Sequence, residues 1–538
     1  MTKLLSPTLL AAALTLALPT AQAANSAAAA GSNATMTNTA GSPAAGVAWR
    51  EAAADADIER AFSQARAEKK PVLLYWGAAW CPPCNQLKAT LFNRADFIEQ
   101  SRAFVAVHID GDSPGAQKLG ARFKVRGYPT MILFSPEAQE ITRLPGEADA
   151  PQVLQVLQLG LAGGRPIKTV LAEAKAGKPL TANEWRLLAF YSWETDEQQL
   201  VPPAERPALL TLLAAASSVS DDGAITTRLW LKALAATDEG ARGPAPTAAL
   251  QQRVSATLAS PADARTQMDV LANSAADITR ALAPNPGTAR NKLVAGFETA
   301  LKRLEADTSL SRADRLTALQ ARVDLARLGQ PKDVVKPKIS AALAGEVRAH
   351  AARADREISD GYERQAVITN AAHLLGDAGL WKDSDALLKA SLTRSHSPYY
   401  LMSQLGSNAR KQGHNAEALR WYEEAFKTSE GPATRLQWGA NYLTNLVELA
   451  PTEMARIEQT ASQLFTESSR DKGAFYERSA RSLQKVGSSL VSWNTDGQRA
   501  AVVTRLKAQL DGVCAKVEAA DKQRATCEGL LVSKKQPA

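Results

Sequence analysis

Two cysteines three positions apart, Cys81 and Cys84, enclose Pro82-Pro83 and follow Trp80, and they are the residues of this chain best suited to chemistry. A dithiol at that spacing can close into a disulfide and reopen, exchanging electrons with another disulfide through a mixed intermediate. The apolar run Pro71-Val72-Leu73-Leu74-Tyr75 lies before them and the helix-forming stretch Asn85 to Phe92 after them. This order predicts a strand that delivers the cysteines to a helix N-terminus. Unpaired N–H groups and the helix dipole there favour a thiolate, drawing the cysteine below its free pKa of about 8.5. The offset puts Cys84 on the same helical face as Cys81, within disulfide reach. Pro82 and Pro83 fit a first turn, where N–H groups lack helical partners anyway. Position assigns the roles: Cys81 at the tip is the nucleophile, and Cys84, one turn deeper, resolves the mixed disulfide. A C-x-x-C pair is also half a zinc site, but no second pair follows at finger spacing. Of the five histidines only His108 falls in this region, inside a predicted strand, so neither metal nor cofactor is expected.

The elements that must hold this pair switch period repeatedly between Val47 and Leu161. A helical stretch (Asp55 to Lys69) is followed by the run ending at Tyr75, the helix after the cysteines, and the run Phe104 to Ile109. Then come Met131 to Phe134, a turn at Ser135-Pro136-Glu137, Glu140 to Leu144, and a closing helix from about Ala150 to Gly160. Helix and buried strand in alternation, ending in a hairpin, indicate a mixed α/β sheet. Gly127-Tyr128-Pro129-Thr130 precedes the hairpin, and an X-Pro bond there has little preference for trans.

Strand, Trp-Cys-x-x-Cys, helix, then Tyr-Pro-Thr with Pro129 45 residues after Cys84, together resemble the thioredoxin superfamily, over about a fifth of the chain. The resemblance implies that Pro129 is a cis-proline facing Cys81 and Cys84. It implies that Tyr128 offers backbone groups to an extended substrate, and that Trp76 and Trp80 flank the pair. Ala79-Trp80-Cys81 and Leu91-Phe92 are similar to the periplasmic thioredoxin-like domain of thiol:disulfide interchange proteins. That likeness implies protein disulfide substrates and a redox partner protein. Two departures stand out: the family's buried acid, six residues before the first cysteine, is Tyr75, and its lysine partner is lost at or near Ala106. Proton transfer at Cys84 must then use water or another group. Lys88 reads as a solvated helix residue, or, if it leans toward the sulfurs, as a stabiliser of the thiolate. The central dipeptide lacks the histidine of strongly oxidising relatives, which favours reductase or interchange activity over oxidase.

The 538 residues exceed one core, with 45% hydrophobic and 22% charged residues, ordinary globular values. The net charge of +8 is spread along helical stretches without a polybasic block, so no nucleic-acid partner is expected. Lys3, the apolar run Leu4 to Leu18 and Ala21-Gln22-Ala23 read as a cleavable signal peptide over 1–23, implying a periplasmic or secreted protein with no membrane span after cleavage. Residues 24–46, rich in Ala, Ser, Thr, Asn and Gly, read as a flexible linker. The thioredoxin-like domain follows over 47–162.

From 163 to 510 the pattern is all-helical, so the expected fold class is an α/β thioredoxin-like domain followed by a large all-α region. Leu405-Gly406, Ala409, Ala418, Tyr422, Ala425 and Pro432 resemble a tetratricopeptide unit, and Gly379 precedes Gly413 by 34 residues. Units of this kind are expected around 370–450 as a degenerate solenoid; an irregular bundle is the alternative. Asp110-Gly111-Asp112 reads as a turn, because no further calcium ligands follow. Cys514 and Cys527 lie too far apart for one straight helix, whose rise over that span is about 20 Å. A helical hairpin within 511–538, turning near Ala520-Asp521, would join them in a structural disulfide contributing about 3 kcal/mol. A shuttle pair serving Cys81 is the alternative. Two functions remain open: an exported thiol-disulfide oxidoreductase, or an envelope scaffold whose helical repeats bind proteins beside a thioredoxin-like docking module.

Overall fold

Side chains alternate between two apolar layers along a central strand, and this alternation organises the first part of the molecule. A computed structural model describes residues 46–196, 200–219, 222–237 and 243–532. The signal peptide, the linker except Gly46, and residues 533–538 of the tail lie outside the described residues. The strands are β1 (Arg50–Glu51), β2 (Val72–Gly77), β3 (Val105–Asp110), β4 (Thr130–Phe134) and β5 (Glu140–Leu144). They form one sheet in the order β1-β3-β2-β4-β5. β1 and β2 run parallel to β3, while β4 is antiparallel to both β2 and β5.

Five helices accompany the sheet: α1 (Asp55–Glu68), α2 (Pro82–Thr90), α3 (Ala95–Gln100), α4 (Ala116–Phe123) and α5 (Ala150–Leu161). All of β2 is buried, which explains its unbroken apolar sequence. Val72, Leu74 and Trp76 pack with Ile58 and Phe62 of α1 and Leu119 of α4. Leu73 and Tyr75 pack on the other side with Leu87 of α2 and with Val153 and Leu157 of α5. The strand period of two thus feeds both layers from one segment.

Beyond α5 the described regular elements are all helices. The second layer continues past α5: Ile167, Val170, Leu187, Leu188 and Trp193 share one apolar cluster with Leu73, Leu133 and Leu157. Later helices return to the sheet domain, with Gly361–Asp377 against α2 and Glu477–Trp493 against α4. Helix Pro398–Lys411 packs on Asn415–Thr428. A Cβ on Gly406 would stand 2.7 Å from the Tyr422 ring, so only glycine allows this approach. Gly379 and Gly413 both take left-handed backbone, φ 74° and 80°, just after a helix end. Cys514 ends helix Ala500–Cys514 and is bonded to Cys527 in Gln523–Glu528, with Cα atoms 5.7 Å apart. Among the described residues no helix is long and apolar enough to cross a membrane.

Candidate active site

β2 ends at Gly77, and a short loop brings Cys81 to the N-cap of α2, with Pro82 and Pro83 as its first two residues. Cys81 Sγ accepts the N–H of Cys84 at 3.2 Å, so the helix terminus supplies a donor directly to sulfur. Cys81 and Cys84 form a disulfide with Cα atoms 5.3 Å apart. Cys81 is 2% exposed and Cys84 wholly buried, in a small cluster with Ala78, Trp80 and Tyr128. Tyr128-Pro129 is a cis peptide bond, and the carbonyl oxygen of Tyr128 lies 3.6 Å from Cys81 Sγ. Thr130 Oγ1 donates to Gly127 O at 2.9 Å and Gln117 Nε2 to the Tyr128 hydroxyl at 3.0 Å, which hold this loop. Gly127, next to Tyr128, and Pro83, between the two cysteines, are exposed.

Four residues to which the sequence assigns no role at the site hold the cysteine loop. Asn85, fully buried, donates from Nδ2 to Ala79 O at 2.7 Å and Cys81 O at 2.8 Å. Asp112 accepts the Trp80 indole N–H at 3.1 Å, pairs with Arg478 at 2.6 Å, and accepts the Thr434 N–H at 2.8 Å. Gln365 Nε2 donates to Trp80 O at 3.0 Å. The position of Asn85 in the first turn after Cys84 was the one available local signal. Asp112, Gln365 and Arg478 are hundreds of residues apart or sit in a turn, and no local pattern marks them.

Trp80 lies beside the pair as expected, stacked on Tyr400 (5.8 Å) and edge-on to Trp438 (6.1 Å), with the Arg478 guanidinium 5.2 Å from its ring. Trp76 differs: wholly buried, it packs on Phe123 at 5.4 Å in the α1–α4 layer, because strand alternation turns it away from Tyr75. The Tyr75 hydroxyl is buried without a hydrogen-bond partner. Burial, reinforced by the Asp110 carboxylate, holds its pKa far above the ordinary phenol value. Asp110 itself is pushed up by burial, against the Asp112 N–H that it accepts. Lys88 is not a free surface residue: it is half-buried with Nζ 5.2 Å from the Tyr362 ring, and desolvation lowers its pKa. His108 is half-buried rather than enclosed, its Nδ1 2.8 Å from Glu51, since β1 is a short edge strand. Cys514 and Cys527 lie in a different apolar cluster from the active pair, among Leu490, Leu510 and Leu530. Among the described residues no three His, Cys, Asp or Glu side chains gather as ligands for an ion.

A family model described as a thioredoxin-like domain matches residues 58–160. A thioredoxin-like protein of Synechocystis is 31% identical over 90 residues, 17% of this chain and 81% of that protein. The chain belongs to the thioredoxin-like proteins. It is also 32% identical over 104 residues to the thiol:disulfide interchange protein DsbD of Pseudomonas fluorescens, covering 19% of this chain and 18% of that one. The chain therefore spans about a fifth of the length of that interchange protein. A thioredoxin from Thermus thermophilus is similar at 24% identity over 21% of this chain and 86% of its own, with a TM-score of 0.19.

Proposed function

We propose that this thioredoxin-like chain is an exported thiol-disulfide oxidoreductase acting on protein disulfides through Cys81 and Cys84, as a reductase or in interchange. The observation that carries the reading is Cys81 at the N-cap of α2, its sulfur on the Cys84 N–H and facing Tyr128 across a cis-Pro129. With the pair reduced, the Cys81 thiolate attacks one sulfur of a substrate disulfide and expels the other as thiolate. Cys84, deprotonated, then attacks Cys81 Sγ, closes the pair and releases the second substrate thiol. Two electrons pass to the substrate, and a redox partner protein must return them. The N–H of Cys84 stabilises the thiolate at Cys81. Tyr75 cannot serve as the base for Cys84 near neutral pH, because burial keeps its hydroxyl protonated. The expelled substrate thiolate or water takes that proton. The main chain of 127–128 offers an edge for an extended substrate, and Gly127 is exposed.

Replacing Cys81 with Ser is expected to abolish reduction of insulin disulfides, and Cys84→Ser to accumulate mixed disulfides visible on non-reducing gels. Full activity in the Cys81 variant refutes the reading. A reduction potential near about −270 mV marks a reductant, and one near about −120 mV an oxidant. Export is supported by Lys3, the run Leu4 to Leu18 and Ala21-Gln22-Ala23. A mature N-terminus at Ala24, read by mass spectrometry, checks it. The second reading, an envelope scaffold with a thioredoxin-like docking module, draws on the packing of Tyr400 and Trp438 against Trp80. A partner pull-down unchanged by both serine substitutions, with negligible insulin reduction, favours it.

A further inference from the structure

Trp438 and Gln437 line two neighbouring cavities beside the cysteine loop. One, of about 510 Å³, is also walled by Trp80, Tyr400 and Gln404; the other, of about 470 Å³, by Arg478, Arg481 and Lys485. Volumes of this order suit a short peptide or a small molecule, ligand sites running from about 300 to 1,000 Å³. Together they make a trough along helix Pro432–Leu449, with the neighbour of Cys81 in its wall.

Three features specify the occupant. Trp438 is 8% exposed and its indole N–H has no partner; Gln404, which lines the same cavity, has an unpartnered Oε1. An unmade buried hydrogen bond costs about 1–3 kcal/mol, so a ligand that supplies the missing acceptor and donor is favoured. A peptide unit carries one of each. Next, Trp80, Tyr400 and Trp438 meet pairwise with ring centroids 5.8, 5.9 and 6.1 Å apart, an aromatic corner for a large apolar side chain. Last, Arg327, Lys411, Arg478, Arg481 and Lys485 line the two cavities against the single carboxylate of Asp377. The arginines are paired with Asp377, Asp112 and Glu477. Lys411 and Lys485, both exposed, have no ion pair among the described residues, so the uncompensated charge is positive.

We infer that the trough binds an extended peptide segment with an aromatic or large aliphatic side chain flanked by acidic residues. Resting on the thiol-exchange reading, this segment belongs to the substrate and flanks its reacting cysteine. Binding and chemistry are separable. The full-length Cys81→Ser, Cys84→Ser protein is titrated calorimetrically with acetyl-Asp-Glu-Phe-Glu-Asp-amide and with the same peptide bearing lysine in place of each acid. The acidic peptide is expected to bind more tightly by roughly tenfold or more, with an affinity that falls as salt rises. Lys411→Glu with Lys485→Glu should weaken it by roughly tenfold. Trp438→Phe, which keeps a ring and removes the N–H, should weaken it at every salt concentration. Equal affinity for the two peptides, no binding, or indifference to the lysine reversals overturns the inference. Turnover of hydroxyethyl disulfide by the unmodified protein tests the redox reading by itself. Peptide binding without turnover keeps the trough and removes the redox reading, and turnover without peptide binding does the reverse.

Discussion

A phenol stands at Tyr75 where the family resemblance places an acid, and its surroundings decide what it can do. The hydroxyl is buried, unpartnered and directly over Gly77, where even a Cβ would come within 2.5 Å of it. An unsatisfied buried hydroxyl is destabilising by about 1–3 kcal/mol, so Tyr75→Phe is expected to stabilise the fold by about 1 kcal/mol, read as a higher urea midpoint. The pH profile of exchange should not move, because a group held protonated by burial neither gives nor takes a proton near neutrality. A less stable variant, or a shifted profile, would instead mean that the hydroxyl is bonded to the Cys84 thiol during turnover. The substitution at Tyr75 was legible in the sequence because it sits at a fixed offset from Cys81. Its consequence was not, since whether a phenol ionises depends on burial and on Asp110, which only the pairing of β2 with β3 brings near.

Helices of similar composition differ in what their glycines do, and the difference is set by neighbours. Gly406, within Pro398–Lys411, faces the Tyr422 ring, whereas Gly345, within Ala341–Glu357, has nothing within 4 Å of a built Cβ. By helix propensity alone, alanine at either position should gain up to about 1 kcal/mol. At Gly345 that gain is expected in a thermal melt. At Gly406 the buried Tyr422 ring would have to shift, so Gly406→Ala should be destabilising by about 1–3 kcal/mol. If both variants gain, the contact with Tyr422 does not fix the pair of helices. Much at this scale could be read beforehand. The strands, the hairpin, the helix after Cys84 and the all-helical remainder follow from periods of two and 3.6 that survive in single segments. Gly406 and Tyr422 stood out by spacing, and Gly379 and Gly413 do end helices in left-handed backbone. Lys88 departs from its solvated expectation because the ring covering it, Tyr362, comes from a helix far along the chain. Asp112 does sit in a turn, but its pairing with Arg478 joins segments 366 residues apart, a separation no local period encodes.

That pairing joins the turn after β3 to the helical region, beside the Trp80 indole. Asp112 receives Trp80, Thr434 and Arg478 at once, and the two charged side chains are only 12% and 11% exposed. Removing one member of a nearly buried pair leaves the other charge unpaired, a loss of about 3–5 kcal/mol when burial is complete. Asp112→Ala is therefore expected to lower stability by about 3 kcal/mol in urea unfolding, and Asp112→Asn, which keeps an acceptor for the indole, by less. Stability alone does not separate a latch from ordinary packing, but hydrogen exchange does. If Asp112 ties the cysteine loop to the helical region, amides of 78–85 and of 432–438 should lose protection together in the alanine variant. The same loosening should accelerate reduction of the Cys81–Cys84 disulfide by dithiothreitol, because Trp80 would no longer be fixed against Tyr400 and Trp438. Protection lost on one side only would place the two regions in independent units and leave Arg478 as a local partner of Thr434 and Gln437.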